Sequence, residues 1–241
     1  MKYYVVLLLF ILSFSLKAQS PYKFSWAVDA PVVSVGLGGM VTGFILEKKK
    51  QPLTMAQIMA LDRNNISLFD RSATYNWNPK IAKASDALMY TSVATPLLLL
   101  AGERSRKDFL KVAAISAEVF VLNTGLTYLT KELTKRNRPY TYNPNAPMDK
   151  KLEKGANQSF FSGHTSTVSS AMFSFAMMHT HYYPNSKWKP LVWFAAAVIP
   201  FTTAIFRVRA GKHFWTDVLV GYGVGAAVGV GVPLLHKIRN K

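Results

Sequence analysis

Residues 218–235 read VLVGYGVGAAVGVGVPLL, an uncharged stretch of 18 residues that includes five glycines. A helix needs about 17 to 25 apolar residues to cross a bilayer. Five glycines would destabilise a helix in water, whereas between membrane helices small residues let neighbouring backbones approach closely. The stretch therefore predicts a membrane-spanning helix whose neighbours pack against its backbone.

Other apolar stretches precede it, separated by mostly short polar connections: 28–46, 87–101, 109–129, 167–178 and 191–206. The composition agrees, because 50% of the residues are hydrophobic and only 17% are charged, below the quarter that is usual in soluble domains. We predict an all-α, polytopic membrane bundle of about six helices. Several stretches have marginal lengths, so a buried helical bundle in a soluble protein is the alternative.

The first residues are typical of an export signal. Lys2 supplies a positive charge, residues 5–16 are apolar, and Ala18 suits the last position before a cleavage site. We therefore predict a signal peptide or N-terminal anchor over 1–18 and export to a bacterial inner membrane. Residues 19–86 are expected to form an apolar span and an amphipathic interfacial region, and residues 87–241 the core of the bundle.

The charge balance indicates an anionic partner. The chain has 29 Lys and Arg against 12 Asp and Glu, a formal net charge of +17. Such a surface attracts nucleic acid, anionic lipid or phosphorylated small molecules. The absence of cysteine from the sequence excludes disulfides, thiolate metal sites and a cysteine nucleophile.

The stretch RVRAGKHFWTD, residues 207–217, holds a candidate nucleophile. If it is helical, Asp217 lies on the same face as His213 and accepts a hydrogen bond from one ring nitrogen, which leaves the other nitrogen free to attack. Arg207 adds a guanidinium group suited to binding an oxyanion. Taken alone, a His and an Asp at this spacing are more often a surface pair.

Two further clusters suit an anion. Lys131 and Arg138 stand seven residues apart, two turns of a helix that Pro139 then ends, so both can hold one phosphate. The triplet 162–164, Ser-Gly-His, leads into an apolar stretch and offers a hydroxyl, free backbone N–H groups and the positive end of a helix dipole. The alternatives are an interfacial basic cluster and a capping histidine.

The order and spacing of these three clusters resemble the three-part signature of the type 2 phosphatidic acid phosphatase family, over roughly residues 87–235. Two positions depart from the usual pattern. Phe161 stands where the family usually has proline before Ser-Gly-His, and Phe206 where it usually has serine before arginine. Neither departure removes an expected catalytic group, although the lost serine hydroxyl alters the hydrogen bonding expected around the phosphate.

The resemblance implies an acid phosphatase/vanadium haloperoxidase-like core and a mechanism without metal or cofactor. His213 is expected to be the nucleophile that forms a phosphohistidine, with Asp217 holding its tautomer and His164 protonating the leaving oxygen. The remaining motif residues are expected to stabilise the phosphate oxygens: Lys131, Arg138, Ser162, Gly163 and Arg207.

The expected partner is a lipid phosphate in the membrane and not nucleic acid. Phosphatidic acid, phosphatidylglycerophosphate, undecaprenyl pyrophosphate and lipid A phosphates all fit. The alternatives are a vanadate-dependent haloperoxidase, a soluble acid phosphatase, and a non-catalytic anion-binding membrane protein or transporter. The sequence makes no prediction of the oligomeric state.

By the positive-inside rule, the basic residues at 104–107, 187–189 and 237–241 would lie on the cytoplasmic side of the membrane. The site, at the other ends of the spans, would then face the periplasm. Six full crossings after cleavage at Ala18 would instead place the site inside. Two explanations stay open: residues 28–46, interrupted by glycines at 36, 38 and 39, do not cross fully, or the signal is retained.

Overall fold

The computed structural model describes residues 20–238, so the predicted signal at 1–18 lies outside the described residues. Six long helices carry the fold: α1 Trp26–Lys49, α2 Pro79–Val93, α3 Phe109–Thr134, α4 Gly163–Tyr182, α5 Lys189–Arg209 and α6 Trp215–His236. Each contains or overlaps one apolar stretch of the sequence. The predicted all-α bundle of about six helices is confirmed.

Short helices occupy the connections. They are the α-helical turns Met55–Met59, Leu68–Arg71, Glu103–Lys107 and Met148–Lys151, and the 3-10 helices Arg63–Asn65, Ser72–Tyr75, Thr95–Ala101, Pro139–Tyr142 and Lys154–Asn157. Within residues 20–238 the strand-like pairing is one isolated bridge between Tyr22 and Lys237.

Helix α4 lies in the middle of the bundle and packs against α2, α3, α5 and α6, while α1 packs along α3. The surrounding helices turn large apolar side chains outward, for example Val41, Phe194 and Leu235. In the described chain, five helical segments are long and apolar enough to cross a membrane: α1, α2 with the 3-10 helix after it, α3 with its continuation to Tyr142, α5 and α6. The more polar α4 is enclosed by them.

The glycines of α6 bring its backbone against α4. A Cβ on Gly221 would lie 2.6 Å from the Ser162 carbonyl oxygen, and Gly225 and Gly229 meet the α4 backbone equally closely. The predicted backbone packing of this helix is confirmed at these three positions. Gly223 and Gly231 do not take part, because a Cβ added at either glycine would have no neighbour within 4 Å.

One end of the bundle gathers the C-terminal ends of α1, α3 and α5, the N-terminal parts of α2, α4 and α6, and the longer connections 50–78 and 135–162. All the predicted site residues lie at this end. Helix α1 runs for 24 residues through Gly36, Gly38 and Gly39, so these glycines do not interrupt the helix.

Candidate active site

His213 lies in the tight connection between α5 and α6 and is completely buried. Gly211 makes the turn possible, because its φ of 73° is in the left-handed region that favours glycine. The His213 Nδ1 atom lies 2.8 Å from the Ser159 carbonyl oxygen and 3.6 Å from Asp217 Oδ2. At 3.6 Å the two side chains are neighbours without a direct hydrogen bond, because His213 precedes the helix and the helical spacing does not apply to it. The role of Asp217 beside the histidine stays a prediction.

The Asp217 carboxylate stabilises the loop that carries the histidine. Its Oδ2 accepts hydrogen bonds from the Phe214 backbone N–H at 2.8 Å and from the Ser159 hydroxyl at 2.5 Å. Asp217 thus fixes the start of α6 and holds Ser159, whose carbonyl in turn orients His213. Besides its direct approach to the ring, Asp217 therefore acts on the histidine through Ser159.

Arg136 connects this loop to the segment that precedes α2. Its Nη1 donates to Asp217 Oδ1 at 2.5 Å and its Nη2 to Asp70 Oδ2 at 2.8 Å. Asp70 also accepts from the Thr216 backbone N–H at 2.9 Å. Neither Arg136 nor Asp70 stands out in the sequence, since a cation among other cations and a lone acid in a polar region carry no distinguishing pattern.

Replacing Arg136 by methionine should lower the free energy of unfolding by about 3 kcal/mol, because two buried carboxylates would lose their cation. Asp70 is 2% exposed and Asp217 is fully buried. Denaturant titration in detergent measures the change. Arg209→Met is the control, since Arg209 is exposed at the end of α5. Equal stability of the two variants would contradict the bridging role.

The predicted cations Lys131 and Arg138 lie beside His213. They do not share a helix face as predicted, because the helix ends at Thr134 and Arg138 has an extended backbone. Lys131 Nζ donates to the Gln158 carbonyl oxygen at 2.7 Å. Arg138 Nε donates to the Gly155 carbonyl oxygen at 2.8 Å, and its Nη1 lies 3.4 Å from His213 Nε2. Arg138 thus faces the ring nitrogen that the Ser159 carbonyl leaves free.

His164 and Arg207 share a carboxylate that the sequence did not single out. Asp86 Oδ1 lies 2.7 Å from His164 Nε2 and 3.5 Å from Arg207 Nη1. Arg207 also donates to the Ser85 hydroxyl at 3.1 Å, while its buried Nε has no hydrogen-bond partner among the described residues. The only sequence signal for Asp86 is that an acid stands next to an apolar stretch.

Ser162 and Gly163 form the start of α4. The Ser162 hydroxyl accepts from the Thr165 backbone N–H at 3.4 Å and is buried, so it serves as the helix cap. A Cβ on Gly163 would lie 3.6 Å from Lys131 Cε, which places the first N–H groups of the helix near that lysine. Because these groups lack partners within the helix, they suit an anion.

These contacts define the chemical state of His213. A carbonyl oxygen only accepts, so Nδ1 carries the hydrogen and Nε2 keeps its lone pair. Burial, followed by the positive charges of Arg138, Lys131 and Arg207, lowers the pKa of His213 well below its ordinary value. At neutral pH the ring is therefore an uncharged nucleophile surrounded by cations, an arrangement suited to attack on the central atom of an oxyanion.

Comparison with known proteins gives two matches. A family model described as the PAP2 superfamily matches residues 109–241. The crystal structure of the first transmembrane PAP2-type phosphatidylglycerolphosphate phosphatase from Bacillus subtilis is similar, with a TM-score of 0.53 and 22% sequence identity over 84% of this chain and 96% of that chain. At this identity the likeness concerns the fold. No curated protein matches the sequence of this chain.

Proposed function

This chain belongs to the PAP2 superfamily, and we propose that it is a metal-independent phosphatase that hydrolyses a phosphate ester of a membrane lipid. The membership that the three motifs predicted is confirmed. The observation that carries the activity is the state of His213: its Nδ1–H is held by the Ser159 carbonyl, and its free Nε2 faces Arg138.

In the first step, Nε2 of His213 attacks the phosphorus atom and the bond to the lipid oxygen breaks. His164, protonated once the phosphate dianion is bound beside it, gives its proton to that oxygen and becomes neutral, so the lipid leaves as an alcohol and the phosphoryl group stays on His213. The contact with Asp86 orients the His164 ring for this transfer. The products of the step are a phosphohistidine and a dephosphorylated lipid.

In the second step, a water molecule attacks the phosphohistidine while His164 accepts a proton from it. The bond between phosphorus and Nε2 breaks, inorganic phosphate leaves, and His213 returns to its neutral form. Negative charge builds up on the phosphate oxygens in both steps, and preorganised donors stabilise it. We assign this role to Lys131, Arg138, Arg207, the Ser162 hydroxyl and the Gly163 N–H.

The substrate class follows from where the site lies. His213 and His164 occupy the end of a bundle whose outer surface is apolar, so a phosphate at headgroup level can reach them while its lipid tails remain in the bilayer. The similar Bacillus subtilis protein is a phosphatidylglycerolphosphate phosphatase by its description, which makes that lipid the first to test. Phosphatidic acid, undecaprenyl pyrophosphate and lipid A phosphates are the other candidates.

The test is phosphate release from a panel of these lipids by the purified chain in detergent, with and without a chelator. We expect release from at least one lipid, at a rate that a short incubation with chelator does not change. A protein that releases phosphate from none of them would support a non-catalytic anion-binding protein, and halide oxidation with vanadate and peroxide would indicate a haloperoxidase.

We also propose that the chain resides in a bacterial inner membrane with its site facing the periplasm. Residues 104–107, 187–189 and Lys237 lie at the bundle end opposite the site, where the positive-inside rule favours the cytoplasm. The sequence has no cysteine, so single cysteines can report the orientation. In intact cells with a permeable outer membrane, an impermeant maleimide should label Asp149→Cys at the site end but not Lys187→Cys; the reverse pattern would place the site inside.

Lys212 should make substrate binding sensitive to pH. Burial and the nearby Arg138 and Arg207 lower the pKa of Lys212 to about 8. The ammonium group lies 4.8 Å from the Tyr140 ring centroid and 5.2 Å from that of Trp77. Because the lysine is charged below about pH 8 and neutral above it, we expect KM to rise about three- to fivefold between pH 7 and 9.

The matched variant is Lys212→Arg, which keeps its charge over this range. Steady-state kinetics on one lipid phosphate should show a KM that changes little with pH for the arginine variant. Parallel pH profiles for the two proteins would exclude Lys212 from substrate attraction.

A further inference from the structure

A second cluster of ionisable side chains lies inside the bundle at the end remote from the site. It combines Asp29 in the first turn of α1, Glu118 in α3 and His236 at the end of α6, whose ligand atoms lie within 4.8 Å of one another. Glu118 and Lys131 are separated by about 20 Å along α3, at 1.5 Å per residue. We propose that these three side chains bind a divalent transition-metal ion of the zinc type.

The hydrogen bonding of His236 points its free nitrogen at the two acids. Nδ1 lies 2.8 Å from the Val232 carbonyl oxygen, which only accepts, so Nδ1 carries the hydrogen. Nε2 lies 2.6 Å from Asp29 Oδ1 and 3.3 Å from Glu118 Oε2. With a neutral ring, three lone pairs converge on one point, an arrangement that needs a cation between them.

The charge balance favours a metal ion over a proton. Glu118 is 7% exposed and its Oε2 accepts no hydrogen bond, and among the described residues no Lys or Arg pairs with Asp29 or Glu118. A single proton, on His236 between two carboxylates, leaves a net charge of −1 in the bundle, and only a second proton on Glu118 would cancel it. A divalent ion with a neutral histidine gives a net charge of zero, which avoids burying an uncompensated charge.

The donor set and spacing suit zinc. One imidazole nitrogen and two carboxylate oxygens are common zinc ligands, and ligands at tetrahedral angles around zinc lie about 3.3 Å apart. The pair of His236 and Glu118 has this spacing, and the more exposed Asp29 must move outward by about 0.7 Å to match it. The Ser25 backbone N–H, which donates to Asp29 Oδ2 at 2.9 Å, and the Val232 carbonyl hold the ligands from behind.

The position indicates a structural role. Just beyond His236 the two ends of the described chain meet: the Lys23 N–H donates to the His236 carbonyl at 3.0 Å and the Ile238 N–H to the Pro21 carbonyl at 2.9 Å. An ion at this point would fasten α1, α3 and α6 together. The cluster does not show in the sequence, because its members are far apart in the chain and only the fold assembles them.

The experiment uses the full chain without a histidine tag, purified in detergent and stripped of metal with a chelator that is then removed. Titration with zinc chloride should show one ion bound per chain and a higher unfolding temperature. Glu118→Gln and His236→Gln should lose both effects while remaining folded. His179→Gln and His213→Ala should keep both, because His179 lies outside the cluster and His213 belongs to the site at the other end.

Failure of the wild-type chain to bind zinc, or binding that both cluster variants retain, would overturn the proposal and leave a shared proton in its place. If Glu118→Gln does not fold, metal content and unfolding temperature of the wild type with and without zinc still decide the question. None of these measurements depends on phosphatase activity, so the metal site and the proposed function can fail separately.

Discussion

Replacing His213 by alanine is expected to lower the rate of phosphate release by at least about four orders of magnitude, as removal of a covalent nucleophile does in other enzymes. In the proposed mechanism the neutral, buried imidazole attacks phosphorus, and alanine leaves nothing at its position. The cations that surround it would still bind the lipid phosphate. We therefore expect the loss in kcat, with KM changed little.

Trapping the intermediate gives an independent measurement. After brief reaction with labelled lipid phosphate, the wild-type chain should carry label that is stable in base and labile in acid, as phosphohistidine is, and His213→Ala should carry none. His179→Ala is the matched control, because this histidine lies in the distal half of α4 away from the site. Label on the His213 variant, or a rate near that of the wild type, would show that another residue is the nucleophile.

The helices could be predicted from the sequence because apolar length and composition decide where a chain can cross a bilayer. Residues 218–235 lie within α6, and residues 109–129 within α3. The predicted helix ends are less accurate where a capping residue or a proline, and not hydropathy, decides where the helix begins or ends. The apolar stretch at 87–101 misses the start of α2, because Asn78 caps a helix that begins at Pro79, and the backbone changes to a 3-10 helix at Thr95, next to Pro96.

The extent of α4 is underestimated for a different reason. The predicted stretch 167–178 covers only the middle of Gly163–Tyr182, because the polar residues at both ends fall outside an apolar pattern. Hydropathy measures how well a helix suits lipid, and α4 is surrounded by other helices. A helix in that position can be polar, which the sequence alone does not reveal.

The candidate site likewise combines residues that the sequence reveals with residues that it does not reveal. The motif residues could be found because side-chain identity and spacing carry the signal, and the fold brings them to one end of the bundle. Their supporting partners could not be found. The acceptor for His213 is a backbone carbonyl, which every residue has, and Asp86 reaches His164 from 78 residues away. For this reason the hydrogen bond expected between His213 and Asp217 goes to the Ser159 carbonyl, while Asp217 lies 3.6 Å from the ring and its catalytic role stays a prediction.

Replacing His164 by alanine is expected to slow release from a lipid phosphate by about 10²- to 10⁴-fold, the usual range for loss of a general acid or base. In the proposed mechanism the lipid alcohol is a poor leaving group and needs a proton from His164. Para-nitrophenyl phosphate has a good leaving group, so the rate at which nitrophenol departs should fall much less. The second step still needs His164 to accept a proton from water with either substrate.

These two effects together predict a distinctive time course for His164→Ala with para-nitrophenyl phosphate: a rapid burst of about one nitrophenol per chain, followed by slow turnover as phosphohistidine accumulates. Asp86→Asn is the graded comparison, because it keeps a side chain of the same shape near His164 and should reduce the rate less than the alanine variant. A defect of equal size with both substrates, and no burst, would mean that His164 binds the phosphate and transfers no proton.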